Sequence, residues 1–190
     1  MTKILIFAGS ARRGAFSRQL AAAATMLVES HGGTPTLIDL GDFPAPLYNA
    51  DLERELGIPQ PVMEFRRLVA THDGLVVVTP EYNGFVTPLL LNMLCWASRP
   101  SPGDDFGNVF QGRPVAVAAS SPGGLGGVRV IPRLRDMLAE LGMIAVPGFV
   151  TLPAAATAFA EDGRLASSDS EDGLARLVRR LIAAGRLMAK

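Results

Sequence analysis

Thr79-Pro80-Glu81-Tyr82-Asn83-Gly84 gathers a ring, a carboxylate, an amide and a permissive glycine into one short stretch between an apolar run and a helix-like run. In an open parallel α/β sheet, the loop leaving the carboxyl end of a strand is where ligands sit. These residue types can grip a flat, polar-edged molecule by stacking on its face and hydrogen bonding its rim. A second stretch, Gly9-Ser10-Ala11-Arg12-Arg13-Gly14-Ala15-Phe16-Ser17, has the makings of an anion site. Its backbone N–H groups would open a helix, Ser10 and Ser17 add hydroxyl donors, and Arg12 offers a planar fork matched to phosphate oxygens. Together the two loops point to a phosphorylated planar cofactor, and FMN fits best.

The first loop has neither G-x-G-x-x-G nor a P-loop lysine, so a monophosphate suits it better than a pyrophosphate or a nucleoside triphosphate. The plainer alternative is a capped helix start, with Ser17 as the cap and the arginines solvated. For the 79–84 stretch the alternative is a tight turn with a packed Tyr82 and a left-handed Asn83. A third loop, Ser120-Ser121-Pro122-Gly123-Gly124-Leu125-Gly126-Gly127, has glycines that let backbone approach a flat ligand, or that merely make a flexible connector. Three such loops converging at one sheet edge argue more strongly than any of them alone.

The elements that would position these loops follow from apolar periodicity. Residues 4–8, 36–40, 75–79 and 115–119 read as buried strands, and 143–150 as a fifth, interrupted by Pro147-Gly148. Helices are expected over 16–30, 62–71, 88–97, 129–141 and 174–188. Residues 41–61 and 98–112 read as long irregular loops, and 154–160 and 166–172 as surface excursions. Phe43, Leu47 and Tyr48 in the first of these loops are available to pack over a site or a partner. The alternation of strand and helix gives a doubly wound α/β parallel sheet in one domain spanning residues 1–190.

Composition narrows the function. With 48% hydrophobic and 19% charged residues the chain is globular, and 18 basic against 18 acidic side chains give no field for nucleic acid or a membrane surface. A lone Cys95 and only two histidines argue against disulfides, a zinc centre and a Ser-His-Asp hydrolase. Cys95 reads as a small buried residue, and His31 and His72 as surface or capping residues. Asp39 ends the second strand, where a dinucleotide fold reads a ribose, but the glycine fingerprint is missing. No signal peptide or membrane-spanning run is evident, so a cytoplasmic protein is expected.

With Gly9-Ser10, Arg12 and Ser17 near the start, Thr79-Pro80-Glu81-Tyr82-Asn83 in the middle, Asn92, Trp96 and Ser98-Arg99-Pro100 after it, and Gly127 and Arg129 beyond, the chain resembles the NADPH-dependent FMN reductase family. That family includes bacterial quinone, azo-dye and chromate reductases. The resemblance implies a flavodoxin-like five-stranded parallel sheet in the order 2-1-3-4-5, helices on both faces, and non-covalently bound FMN. It implies that Ser10, Arg12 and Ser17 hold the phosphate with help from Gln19. Pro80, Glu81, Tyr82, Asn83 and Gly84 would contact the ring system, flanked by Ser120, Gly123 and Gly124. It also implies a homodimer or homotetramer with the 88–97 helix at the interface. Where the family often has a lysine and an aspartate on that helix, this chain has Leu91 and Cys95, which makes the helix more apolar.

The activity so implied is a ping-pong transfer of hydride from NADPH or NADH to FMN, and of electrons onward to a quinone-like, azo or other small acceptor. No side chain is assigned as an essential acid or base. A flavodoxin-like carrier or a flavin-binding redox sensor is the alternative; carriers of that type tend to be strongly acidic, and this chain is neutral. Arg12, Arg13 and Arg129 are each candidates to meet a 2′-phosphate, which leaves the choice of NADPH or NADH open.

Overall fold

The computed structural model describes residues 1–100 and 106–188. Strands β1 (Thr2–Ala8), β2 (Gly33–Asp39), β3 (Gly74–Thr79), β4 (Pro114–Ser120), β5 (Ile144–Ala145) and β6 (Val150–Leu152) form one sheet in the order 2-1-3-4-5, with β6 also on β4. Every pairing is parallel. Parallel strands need crossovers, and the helices that supply them cover both faces.

Side chains alternate between two cores, as a period of two demands. Leu5 and Phe7 of β1, Leu75 and Val77 of β3, and Val115 and Val117 of β4 face α3 (Gln60–Thr71), α4 (Pro88–Ala97) and α5 (Val130–Glu140). Ile4, Ile6, Val76, Val78, Ala116 and Ala118 face α1 (Phe16–Ser30) and α6 (Ser168–Met188). Burying both faces explains why these strands read as unbroken apolar runs.

Three expectations need correction. The 143–150 strand is two short ones, because Pro147 lacks an N–H and Gly148 turns the chain at a φ of 89°. The chain leaves β4 after Ala145 and rejoins it at Val150, while Arg135 and Arg180 donate to the stranded carbonyls of Gly148 and Pro147, each at 2.9 Å. The 41–61 segment is not wholly irregular: it holds α2 (Ala50–Leu56), capped by Asn49, whose side chain accepts from Asp51 N. The last helix starts at Ser168, with Asp169 and Glu171 in a first turn that favours negative charge. Of the 98–112 loop, residues 101–105 lie outside the described residues, and the rest is turn and coil.

The 43–49 stretch is strapped to α4. Trp96 Nε1 and Asn92 Nδ2 donate to Pro46 O at 2.8 and 2.9 Å, Tyr48 N donates to Asn92 Oδ1 at 2.8 Å, and the Tyr48 ring meets Trp96 edge-on at 5.1 Å. Asn92 and Trp96 are thus structural. Fully buried Arg66 donates to the carbonyls of Ala97, Arg99 (2.6 Å) and Gly107 (2.9 Å), fixing the chain after α4.

Candidate active site

The three loops converge at the carboxyl edge of the sheet. Ser10, Arg12, Ala15, Phe16 and Ser17 from the first, Pro80, Glu81 and Tyr82 from the second, and Ser120, Ser121 and Pro122 from the third line one cleft of about 500 Å³. It lies beyond the ends of β1, β3 and β4, next to the point where strand order reverses, the expected ligand position in such sheets.

The first loop rests on a close approach. Gly9 N donates to Val78 O at 2.8 Å, and Gly14 takes a φ of 67° to turn the chain into α1. Ala15, at the N-cap of α1, makes no side-chain cap, and Ser17 Oγ is buried without a hydrogen-bond partner among the described residues. The capped-helix alternative therefore fails, because Ser17 does not cap. The uncapped N-terminus presents N–H groups and positive dipole to the cleft wall. Arg12, exposed, lies over the Phe16 ring with 5.9 Å to its centroid, and Arg12 N donates to Ser10 Oγ at 3.3 Å.

The second loop is a two-residue hairpin. Tyr82 and Phe85 exchange both backbone hydrogen bonds, at 3.1 and 2.9 Å, around Asn83 (φ 53°) and Gly84 (φ 74°). Positive φ at both central positions is what a type I′ turn requires and what Asn-Gly supplies. Asn83 and Gly84 thus shape the turn and lie outside the cleft lining, while Pro80, Glu81 and a half-exposed Tyr82 line it. The Glu81 side chain is 6% exposed, and Arg129 donates to its Oε1 from Nε at 2.6 Å and also from Nη2. The other oxygen, Oε2, is buried and has no hydrogen-bond partner among the described residues.

Ser120, 2% exposed, ends β4, and its Oγ is likewise buried without a partner. Gly123 N donates to Ser121 Oγ at 3.1 Å, so Gly123 and Gly124 form the turn behind the cleft and not its lining. Gln19 also stands back: its Nε2 donates to Gly14 O at 3.4 Å, supporting the first loop from outside. Sequence reasoning missed Phe16 as a wall residue and Arg129 as the partner of Glu81. The 48-residue separation of that pair leaves no local signal.

Orphaned buried polar atoms are uncommon, so three lining one cleft call for an explanation. A phosphorylated flavin meets the requirement. The first loop has hydroxyl, backbone and guanidinium donors that would suit its phosphate, and its ring and polyol would offer donors and acceptors to match Glu81 and Ser120. Other ionisable groups have structural tasks: His72 caps α3, with Nδ1 2.6 Å from Leu68 O and Nε2 2.7 Å from Thr36 Oγ1, and Asp39 pairs with Arg18 at 2.7 Å. Among the described residues no cluster of His, Cys, Asp and Glu could hold a metal.

Comparison with known proteins agrees with this geometry. The family model for NADPH-dependent FMN reductase matches residues 2–157. A 2-hydroxy-1,4-benzoquinone reductase of a Burkholderia species is 36% identical over 143 residues, covering 75% of this chain and 73% of that protein. A quinone reductase of Escherichia coli is 33% identical over 139 residues, covering 73% and 70%. Among solved structures, FerB, a flavoenzyme NAD(P)H:(acceptor) oxidoreductase from Paracoccus denitrificans, superposes with a TM-score of 0.81 at 25% identity over 99% of both chains. The chain belongs to the NADPH-dependent FMN reductase family: it is an NAD(P)H-dependent oxidoreductase with FMN as its cofactor.

Proposed function

We propose that this chain reduces quinone-like, azo or related small acceptors in a ping-pong cycle, the nicotinamide and the acceptor using the same open face of the cleft in turn. The observation that carries the reading is the pair of buried hydroxyls, Ser17 and Ser120, without partners among the described residues, in a cleft that Arg12 also lines. When bound, FMN supplies the hydride chemistry.

The chain's own residues bind and orient. Ser10, Arg12, Ser17 and the uncapped start of α1 hold the phosphate. Pro80, Glu81 and Tyr82 hold one edge of the ring system, with Asn83 and Gly84 fixing their turn. Ser120 flanks the other side, its loop shaped by Gly123 and Gly124, and Gln19 braces the phosphate loop. Among the described residues the only ionisable side chains in the lining are Arg12, Glu81 and Tyr82, and Glu81 is held by Arg129. No general acid or base is needed.

The same reading takes residues 1–190 as one cytoplasmic unit without nucleic-acid partners, assembled as a homodimer or homotetramer through α4. Leu91 on α4, with Tyr82 and Phe85 nearby in sequence, supplies exposed apolar surface for that contact. Among the described residues no helix is long and apolar enough to cross a membrane.

An anaerobic titration of the FMN-loaded protein with NADPH, followed by the flavin's visible absorption, tests the proposal. Bleaching by NADPH and recovery on adding a quinone are expected. A bound flavin that NADPH cannot bleach would assign the chain to electron carriage or redox sensing.

A further inference from the structure

The geometry points to Arg129 as a positioning residue that acts on the flavin cleft through Glu81, an inference that rests on the cofactor reading above. Nε and Nη2 of Arg129 converge on Oε1 of Glu81, so one carboxylate oxygen is clamped and the other, buried Oε2, is left as an acceptor with no partner among the described residues. A phosphate dianion offers no donor to such an oxygen and is repelled by it. The ring N–H and polyol hydroxyls of a flavin are donors. Glu81 therefore addresses the ring and polyol, and Arg129 fixes where it does so.

What stands at each end makes this more than a surface ion pair. Glu81 lies between Pro80, whose φ is locked, and the Tyr82–Phe85 hairpin. Arg129 is the N-cap of α5 and follows Gly126 and Gly127, both at positive φ. A Cβ on Gly126 would sit 2.7 Å from Pro153 N, and one on Gly127 2.9 Å from the Ala119 Cβ, so this loop is pinned to β4 and to the chain after β6. The ion pair thus ties the β3 loop to a stiff base on the β4 side, and those loops form two of the three cleft walls. The carboxylate is 6% exposed and the Arg129 side chain 61% exposed. Removing the arginine strands a buried charge and frees both walls.

The test titrates the apoproteins of wild type, Arg129→Ala, Arg129→Lys, Glu81→Ala and the Arg129→Ala/Glu81→Ala double variant with FMN and with riboflavin, following flavin fluorescence. Arg129→Ala is expected to weaken FMN and riboflavin by the same factor, about tenfold or more. Lysine should recover part of that loss. In the Glu81→Ala background, removing Arg129 should change either affinity by less than about twofold, since the arginine then has nothing to act through. Loss of FMN affinity with riboflavin unchanged would overturn the inference by placing Arg129 on the phosphate. So would an equal loss with Glu81 absent, or no loss at all. If Arg129→Ala does not fold, the lysine variant carries the same FMN-against-riboflavin comparison. A wild-type apoprotein that binds neither flavin sinks the cofactor reading itself, whereas flavin-binding wild type with an unaffected Arg129→Ala sinks this inference alone.

Discussion

Thr87 Oγ1 donates to the carbonyl of Gly9 across 2.5 Å, joining the start of α4 to the loop after β1. The same oxygen accepts from Leu90 N at 3.4 Å and caps the helix. An added Cβ on Gly9 would lie 2.9 Å from that oxygen and 3.2 Å from both Leu90 Cβ and Thr79 Oγ1. The loop after β1 is therefore seated on the helix that follows the Tyr82–Phe85 hairpin, and the two halves of the cleft share one support.

Thr87→Val keeps the shape and removes both hydrogen bonds. It should lower apoprotein stability by about 1–2 kcal/mol, the combined worth of a helix cap and a buried bond. Urea unfolding gives the number, and a midpoint equal to wild type would show that the contact contributes nothing. Gly9→Ala should weaken FMN binding as well, because the loop itself must shift.

Ser17→Ala and Ser120→Ala separate a ligand role from a structural one. Each hydroxyl is buried without a partner, so its removal should leave the apoprotein as stable or slightly more so. FMN affinity should fall in both, by about 1 kcal/mol each for a hydrogen bond made only with the cofactor. Calorimetry with and without FMN reads both quantities on one sample. A stability loss without an affinity loss would make the hydroxyls part of the fold.

The parallel sheet was legible because β1, β3 and β4 are buried on both faces, and such strands show as apolar runs, Ile, Leu and Phe in β1, Leu and Val in β3, Val and Ala in β4. The three loops were legible because their glycines, serines and Asn-Gly are dictated by backbone geometry at the strand ends. α2 left a fainter trace: the Asn49 cap and Gly57 at a φ of 73° bracket a helix none of whose residues is fully buried, so no apolar stripe announces it. The Glu81–Arg129 pair and the Arg66 staple left none, since both join segments far apart in the chain. Gln19, in the first turn of α1, and Asn83, Gly84, Gly123 and Gly124 all stand outside the cleft lining, where neighbouring backbone and not residue type decides what faces in.

Arg12→Ala should cost FMN about 1.5–3 kcal/mol of binding if its charged hydrogen bonds go to the phosphate. Riboflavin, which lacks the phosphate, should bind the variant as it binds wild type. Arg12 is exposed, and its Nη1 donates to Arg13 O at 3.2 Å, so apoprotein stability should hardly change. Equal losses for both flavins would remove Arg12 from the phosphate site.

Arg66→Leu should destabilise the protein by about 3 kcal/mol or more, because three buried or half-buried backbone carbonyls lose a charged donor. Ala97 and Arg99 belong to the end of α4 and the turn after it. The variant should therefore also make this region the first to exchange its amides with deuterium. Wild-type protection there, with only global stability lowered, would contradict the staple.

His72 makes stability depend on mild acid. Burial pushes its imidazole below the ordinary 6.5; Lys3 and Arg113 push the same way, while the Leu68 carbonyl and Asp73 oppose. The unfolded chain therefore takes up a proton at higher pH than the folded one. The stability His72 contributes is complete above 6.5 and is lost as the pH falls from there through the depressed value. Both ring nitrogens of the protonated form still find acceptors in the Leu68 carbonyl and the Thr36 hydroxyl, so the loss comes from burying the charge and not from a broken hydrogen bond. Melting temperatures of the apoprotein should decline as the pH is lowered below neutrality, before the carboxylates titrate near about pH 4. His72→Gln should be less stable at neutral pH and flatter across that window. Parallel pH profiles for the two proteins would mean that another group carries the acid limb.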